Sequence, residues 1–480
     1  MSHPALPALL GVLGLQGLIV PEHAPESAQP YLTDWRGRYS GRALCIARPA
    51  SVQEVVDTLR ICRTHQLAIV PQGGNTGLVG GSVPDDSGAQ VVLCLQRLKR
   101  VLSIDPANLT ITVEAGCLLA DVQEAAGNAG LLFPLSLASE GTCTLGGNLA
   151  TNAGGTQVLR YGTARELCLG LEVVTASGEV WSNLKGLRKD NTGYDLRDLF
   201  IGSEGTLGVI TAATLRLYPQ PRGEAAAVAA CDSLDAAVQL LQLARNELNA
   251  GLSAFEVMAH LPLTLLAHHL PEVARILTPL QTSPGTLPPW LVLIENASAE
   301  SPSHAEERMD HLLQQAFEQG LISNALVARQ ASQHTAMWQV REGIPLAEKA
   351  EGLMVKHDIG LPTSAIPAFV ADMGERIQQR WPEAQIVCFG HLGDGNLHYN
   401  VQPPAHLRHG EALLSFEAEV NELVFDEVMA RQGTISAEHG IGRLRRQELA
   451  KRQSPVAHAL MRALKQTLDP DNLLNPGRVI

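Results

Sequence analysis

Two histidines around a glycine-rich centre, and a glutamate beside a third histidine, carry the clearest chemical signal in this sequence. The first group is Cys388-Phe-Gly-His391-Leu-Gly-Asp-Gly-Asn-Leu-His398-Tyr-Asn400. Asp394-Gly395 is a hairpin signal for a two-residue type I′ turn. With that pair at the turn centre, His391 and His398 face each other across the ladder. Cross-strand Cβ atoms are about 4.5–5.5 Å apart, close enough for two imidazoles to share one metal ion. Asn400 falls on the same strand face as His398. The second group, Ile435-Ser-Ala-Glu438-His439-Gly-Ile-Gly442, reads as a strand ending in a glycine-rich bend. Glu438 would complete a His2Glu metal set with an open coordination position. His439 is then left as a base.

The glycines point to a different ligand. Pro71-Gln-Gly-Gly-Asn-Thr-Gly-Leu-Val-Gly-Gly-Ser-Val-Pro84 follows the strand Leu67–Pro71 and can turn successive backbone N–H groups toward an anion. It carries neither GK[ST] nor G-x-G-x-x-G, which excludes the usual P-loop and Rossmann readings. A second cluster spans Ser139 to Gly155, and a third runs through Leu187–Leu196 and Phe200–Thr211. Three small-residue clusters on separate loops suit one large, elongated cofactor contacted along its length.

Patterning supplies the frame around these groups. Ser51 caps a helix through Val55, Val56, Leu59 and Cys62, with Glu54 as its capping-box partner. Val91–Leu95, Thr110–Val113 and Leu171–Thr175 read as strands, the last turning at Ala176–Glu179 toward Val180-Trp181. Pro219-Gln-Pro221 marks a boundary, and an Ala/Leu-rich helical stretch is expected from about Ala226. Beyond it come helices at Ala305–Gln319, Ile366–Gln379 and Leu413–Arg431, and strands at Trp290–Glu295 and Gln385–Phe389. Helices on one side of such strands give an α+β class.

At 480 residues, the chain has room for roughly two to four domains. With 45% hydrophobic and 18% charged residues it can bury a large core, and its net charge of −13 argues against a nucleic-acid partner. The eight cysteines form no CxxC pair and read as reduced, buried thiols. Ala5–Val20 is apolar but holds Pro7 and Gln16 and is shorter than the ~20 residues of a spanning helix, so it reads as a packing helix. These features suggest a cytoplasmic protein, with peripheral attachment to a membrane as the variant.

The three glycine clusters resemble the FAD-binding domain of the vanillyl-alcohol-oxidase type, also called the p-cresol-methylhydroxylase type. The resemblance runs from about Tyr31 to the end and is weakest over Gly223–Gln330. It implies that Gly73, Gly74, Asn75, Thr76 and Gly77 hold the pyrophosphate of FAD. Thr144, Gly147, Asn148, Thr151, Gly205, Gly208 and Ile210 would contact the rest. The first loop has no histidine for a flavin bond, so FAD is expected to be non-covalent.

The pair GHLGDGNLH and SAEHG is similar to the D-2-hydroxyacid dehydrogenase branch of that family, and within it to the D-2-hydroxyglutarate dehydrogenases. This implies a divalent metal, usually zinc, on His391, His398 and Glu438, with His439 as catalytic base. Asn400 matches a substrate-contacting residue, and Arg341 and Lys356 match those that receive substrate carboxylates. Pro345 stands where some relatives carry a substrate-binding threonine.

The implied reaction is oxidation of a D-2-hydroxy acid, with hydride passing to flavin N5. D-2-hydroxyglutarate ranks first, with D-lactate, glycolate or a glycolate-oxidase subunit as the alternative. Electron-transfer flavoprotein or a quinone-linked carrier is the implied acceptor, and a homodimer is left open. A hydrolytic zinc enzyme is the reading from another class, but it lacks HExxH and leaves the glycines unexplained. The expected architecture is a two-part FAD-binding domain (1–220), an α+β substrate or cap domain (221–430) and a segment (431–480) that returns to the FAD domain.

Overall fold

Val91-Val-Leu-Cys94 is apolar at every position, and in the computed structural model, which describes residues 3–480, it lies in a strand buried on both faces. The chain divides into two compact units. The first comprises the chain up to Gly155, Gly162–Gln220 and Glu438–Ile480, and the second Thr156–Tyr161 and Pro221–Ala437.

The first unit contains two principal sheets. One pairs Ala43–Ala47, Gln90–Cys94 and Ile69–Gln72 in parallel, with Leu18–Ile19 antiparallel at its edge. The other is five-stranded and antiparallel, in the order Val101–Asp105, Thr110–Glu114, Val209–Arg216, Cys168–Val174, Val180–Asn183. Helix Val52–Thr64 begins at Ser51, whose hydroxyl accepts from Glu54 N at 3.2 Å. Its buried face includes Val55, Val56, Leu59 and Cys62. Helix Ala5–Gly17 adds Leu9 and Leu13 to the same core.

The C-terminal segment is built into this unit. Ile69 N donates to Leu473 O and Asn475 N to Ile69 O, both at 2.7 Å, so Leu474 lies alongside the strand that feeds the first glycine loop.

The second unit is built on one seven-stranded sheet. Its main elements in chain order are β1 (Gly223–Cys231), α1 (Leu234–Leu248), β2 (Leu252–Ala259), α2 (His260–His269), β3 (Trp290–Ser298), α3 (Pro302–Glu318), β4 (Asn324–Val327), α4 (Ala331–Glu351), β5 (Asp358–Gly360), α5 (Ile366–Arg380), β6 (Gln385–His391), β7 (Asn396–Gln402) and α6 (Gly410–Ala430). The strand order is β4-β1-β3-β2-β6-β7-β5, and neighbours are antiparallel.

Two expectations are corrected here. The Ala-rich stretch from Ala226 is strand β1, and the helix starts only at Leu234 behind the Ser233 cap. Ala225, Ala227 and Ala229 are buried on one face of the sheet, and Ala226, Val228 and Ala230 on the other. Small side chains let helices approach an interior strand closely, and that packing overrides the helix preference of alanine. Helices also cover both faces of the sheet, not one. Helices α1, α3, α5 and α6 contribute to the core on the first face, and α2 and α4 to the core on the second.

All eight cysteines are buried and unpaired. Among the described residues no helix is long and apolar enough to cross a membrane.

Candidate active site

In the second unit, the chemistry-bearing side chains share the sheet face beneath α4. β6 and β7 pair Phe389 with His398 and His391 with Asn396. The link between them is therefore the four-residue Leu392–Gly395, not the two-residue turn expected. Asp394 Oδ1 accepts from Asn396 N at 3.1 Å, while Asp394 N and Gly395 N both donate to His391 O. This local network closes a wider loop. His391 and His398 become diagonal neighbours on one face, with ring centroids 5.5 Å apart.

The buried carboxylate of Glu256, on β2, organises one side of this face. His391 Nδ1 donates to its Oε1 and Arg341 Nε to its Oε2, both at 2.7 Å. Burial opposes ionisation of Glu256, but the charges of His391 and Arg341 outweigh it and hold the carboxyl well below its usual range. Bonding at Nδ1 fixes the imidazole and turns Nε2 away from Glu256. Arg341 is itself buried, stacked 4.8 Å over the Phe389 ring.

A second buried carboxylate, Glu348, organises the other side. It lies two turns along α4 from Arg341. Lys356 Nζ donates to its Oε2 at 2.8 Å and Asn400 Nδ2 to its Oε1 at 2.6 Å. Asn400 Oδ1 accepts from His357 N at 3.2 Å, which fixes the orientation of the amide. The β5–β7 register pairs Asp358 with His398, and Val355 bridges Val401, so Lys356 stands opposite Asn400. His398 Nδ1 lies 4.0 Å from Asp358 Oδ1, and Asn396 Nδ2 donates to that same oxygen at 2.9 Å.

In the first unit, Glu438 and His439 lie on a loop, not at the end of a strand. The nearest pairing is the single bridge of Thr434 to Gly360 within the second unit. Glu438 Oε2 accepts from Gly155 N at 3.0 Å, and its Oε1 lies 3.8 Å from His439 Nε2. The loop beyond is stitched to the other glycine clusters. Ile441 N and Gly442 N donate to the two oxygens of Glu204 at 2.7 and 2.8 Å, and Arg443 N donates to Val79 O at 2.9 Å. A Cβ on Gly440 would stand 2.9 Å from Glu204 Oε1, so glycine is what admits the carboxylate.

The glycine loops fit a bound cofactor. A Cβ on Gly73 would collide with Thr144 Oγ1, and one on Gly74 with Thr142 O. The first and second clusters are thus in close contact. Thr144 Oγ1 is buried without a hydrogen-bond partner among the described residues, at the start of the short helix Leu145–Ala150. A buried hydroxyl left unpaired between glycine loops is what a polar ligand would satisfy.

Other predicted contacts serve the loops themselves. Asn75 holds Pro30 O, Thr33 O and Ser82, and Thr151 Oγ1 donates back to Gly147 O. Gly208 makes room for Val173 and Phe200, and Ile210 is a buried strand residue. Asn148 is buried with Nδ2 on Cys143 Sγ at 3.6 Å. Thr76 is half-buried and Gly77 faces open space. Gly205, with φ +71°, would bring a Cβ to 3.0 Å from Pro71.

The expected metal set of two imidazoles and one carboxylate suits zinc in donor type. On this face of the second unit, Arg341 pairs with Glu256 and Lys356 with Glu348, while Asp358 lies beside His398.

Two family models match the chain. A family model described as FAD linked oxidases, C-terminal domain, matches residues 220–479, and one described as FAD binding domain matches residues 43–182. The chain is 36% identical over 469 residues to the mitochondrial D-2-hydroxyglutarate dehydrogenase of Arabidopsis thaliana, covering 98% of this chain and 80% of that protein. It is 38% identical over 457 residues to the mitochondrial enzyme of that name from Bos taurus, covering 95% and 80%. It is 37% identical over 455 residues to the D-2-hydroxyglutarate dehydrogenase of Xanthomonas citri pv. viticola, covering 95% and 93%. Among solved structures, p-cresol methylhydroxylase with substrate bound shares the fold at a TM-score of 0.77 and 18% identity, covering 99% of this chain and 96% of that one.

Proposed function

Because the chain belongs to the FAD-linked oxidases, in the branch that holds the D-2-hydroxyglutarate dehydrogenases, we propose that it oxidises D-2-hydroxyglutarate, with D-lactate or glycolate as the alternative substrate. It is an FAD-dependent dehydrogenase acting on a D-2-hydroxy acid. The glycine segments around Gly73–Gly77 and Thr144 would hold FAD without a covalent bond, and bound flavin supplies hydride acceptance at N5. His391, His398 and Glu438 would hold a divalent ion, zinc by donor type, which supplies Lewis-acid polarisation of the 2-hydroxyl.

The remaining roles belong to side chains. His439 takes the hydroxyl proton on an imidazole nitrogen, a group suited to that task near neutral pH. Arg341 presents a planar guanidinium, held by Glu256, to a substrate carboxylate, and Lys356 and Asn400 meet the substrate's far end. Reduced enzyme then passes its electrons to electron-transfer flavoprotein or a quinone-linked carrier.

The observation that carries this reading is Glu256, whose one carboxylate orients both a candidate metal ligand and the carboxylate-binding arginine. The test is anaerobic addition of D-2-hydroxyglutarate, D-lactate or glycolate to the FAD-loaded protein, before and after chelation. Bleaching of the flavin by one acid, lost on chelation and in His439→Asn, is expected. Full flavin reduction in His439→Asn would remove the base assignment, and bleaching that survives complete metal removal would remove the metal.

A further inference from the structure

Glu348 is 1% exposed and lies among Ile344, Ala347 and the other apolar residues with which α4 packs on the sheet. Packing there calls for no charge, and an unpaired buried carboxylate is costly. Its two oxygens are divided between the two residues proposed to meet the far end of the substrate: Lys356 at 2.8 Å and Asn400 at 2.6 Å. Asn400 cannot turn its amide to offer Nδ2 elsewhere without losing the 3.2 Å bond from His357 N.

The consequence is electrostatic. Lys356 is a compact point charge whose value to an anion depends on how much of that charge is already compensated. Glu348 compensates it at hydrogen-bond distance, from a position shielded from solvent. Pro345, one turn earlier on the same helix, adds no hydroxyl.

We propose that Glu348 is a specificity-determining residue. By neutralising Lys356 and tying it to Asn400, it weakens the subsite for a second carboxylate, so that monocarboxylic D-2-hydroxy acids compete with the dicarboxylic one. This rests on the assignment of Lys356 to the substrate's distal carboxylate. The balance follows from charge. A dianion entering this face displaces the Glu348–Lys356 pair or shares it, whereas a monoanion with a methyl group or hydrogen at that end leaves the pair intact.

The test compares kcat/KM for D-2-hydroxyglutarate and D-lactate, with a dye acceptor, in the FAD- and zinc-loaded wild type, Glu348→Gln and Glu348→Leu. Retained flavin absorbance identifies folded protein. The ratio of hydroxyglutarate to lactate should rise by about tenfold or more in either variant, mainly through KM for the dicarboxylate, as expected when one compensating charge is removed beside an anion site. An unchanged or lower ratio in whichever variant retains flavin, with both acids still oxidised, overturns the proposal and leaves the wider function standing. Lys356→Met separates the two levels. If it leaves KM for hydroxyglutarate where it was, the Lys356 assignment fails and the proposal fails with it. If neither acid bleaches the wild-type flavin, the reading of the site itself is wrong.

Discussion

Residue by residue, the site depends on carboxylates that touch no substrate in the proposed reaction. Glu256 lies 135 positions before His391 in the chain, and no spacing rule connects them. The antiparallel pairing of β2 with β6 brings them together, and burial then obliges the carboxylate to find cationic partners. Glu256→Gln keeps the shape but removes the charge that orients His391 and Arg341. It should lower kcat/KM about 10–100-fold and weaken metal retention, with FAD absorbance intact. Equilibrium dialysis with zinc, beside steady-state rates, checks both. Unchanged metal affinity and kcat/KM would mean that Glu256 is only packing. His391, His398, Glu438 and His439 can be singled out as candidates because two short motifs hold them. Glu256, Glu348, Asp358 and Glu204 are not, because each gains its role from a partner on a distant element.

Among strands, helices and loops, local chemistry and tertiary context pull in different directions. Asp394-Gly395 does turn the chain, yet the hydrogen bonds at His391 O and Asn396 N widen the turn to four residues. The histidines keep their common face because the register changes by an even step. β1 shows the opposite case, where a helix-favouring alanine run is drawn into an interior strand by packing from both sides. The first glycine loop is constrained just as closely. Gly74→Ala would drive a methyl group into Thr142 O, against backbone that cannot rotate away. The variant should lose about 1–3 kcal/mol of stability and much of its FAD uptake. Thermal melting with and without FAD measures this, and wild-type melting in both states would contradict the close approach.

For the protein taken together, the −13 charge would repel the proposed anionic substrate, so attraction must come from local positive groups. Glu204 gives the first unit a pH dependence of its own. Burial pushes its carboxyl up to about 7, although the Ile441 and Gly442 amides pull the other way. A carboxyl raised on folding contributes most below its ordinary value of 4.5, and that contribution is lost as pH rises through about 7. The melting-temperature advantage of wild type over Glu204→Gln should therefore shrink between about pH 5 and pH 8. A constant or widening gap would show that Glu204 does not titrate in that window.

The cofactor class and the His/Glu motifs proposed for catalysis can be read from the chain alone, because glycine clusters and short spacings are local signals. The hairpin register, the helix cover on both sheet faces and the buried carboxylates that orient the site emerge only on folding. Those depend on which residues packing forces together, and on the rule that a buried charge must be paired.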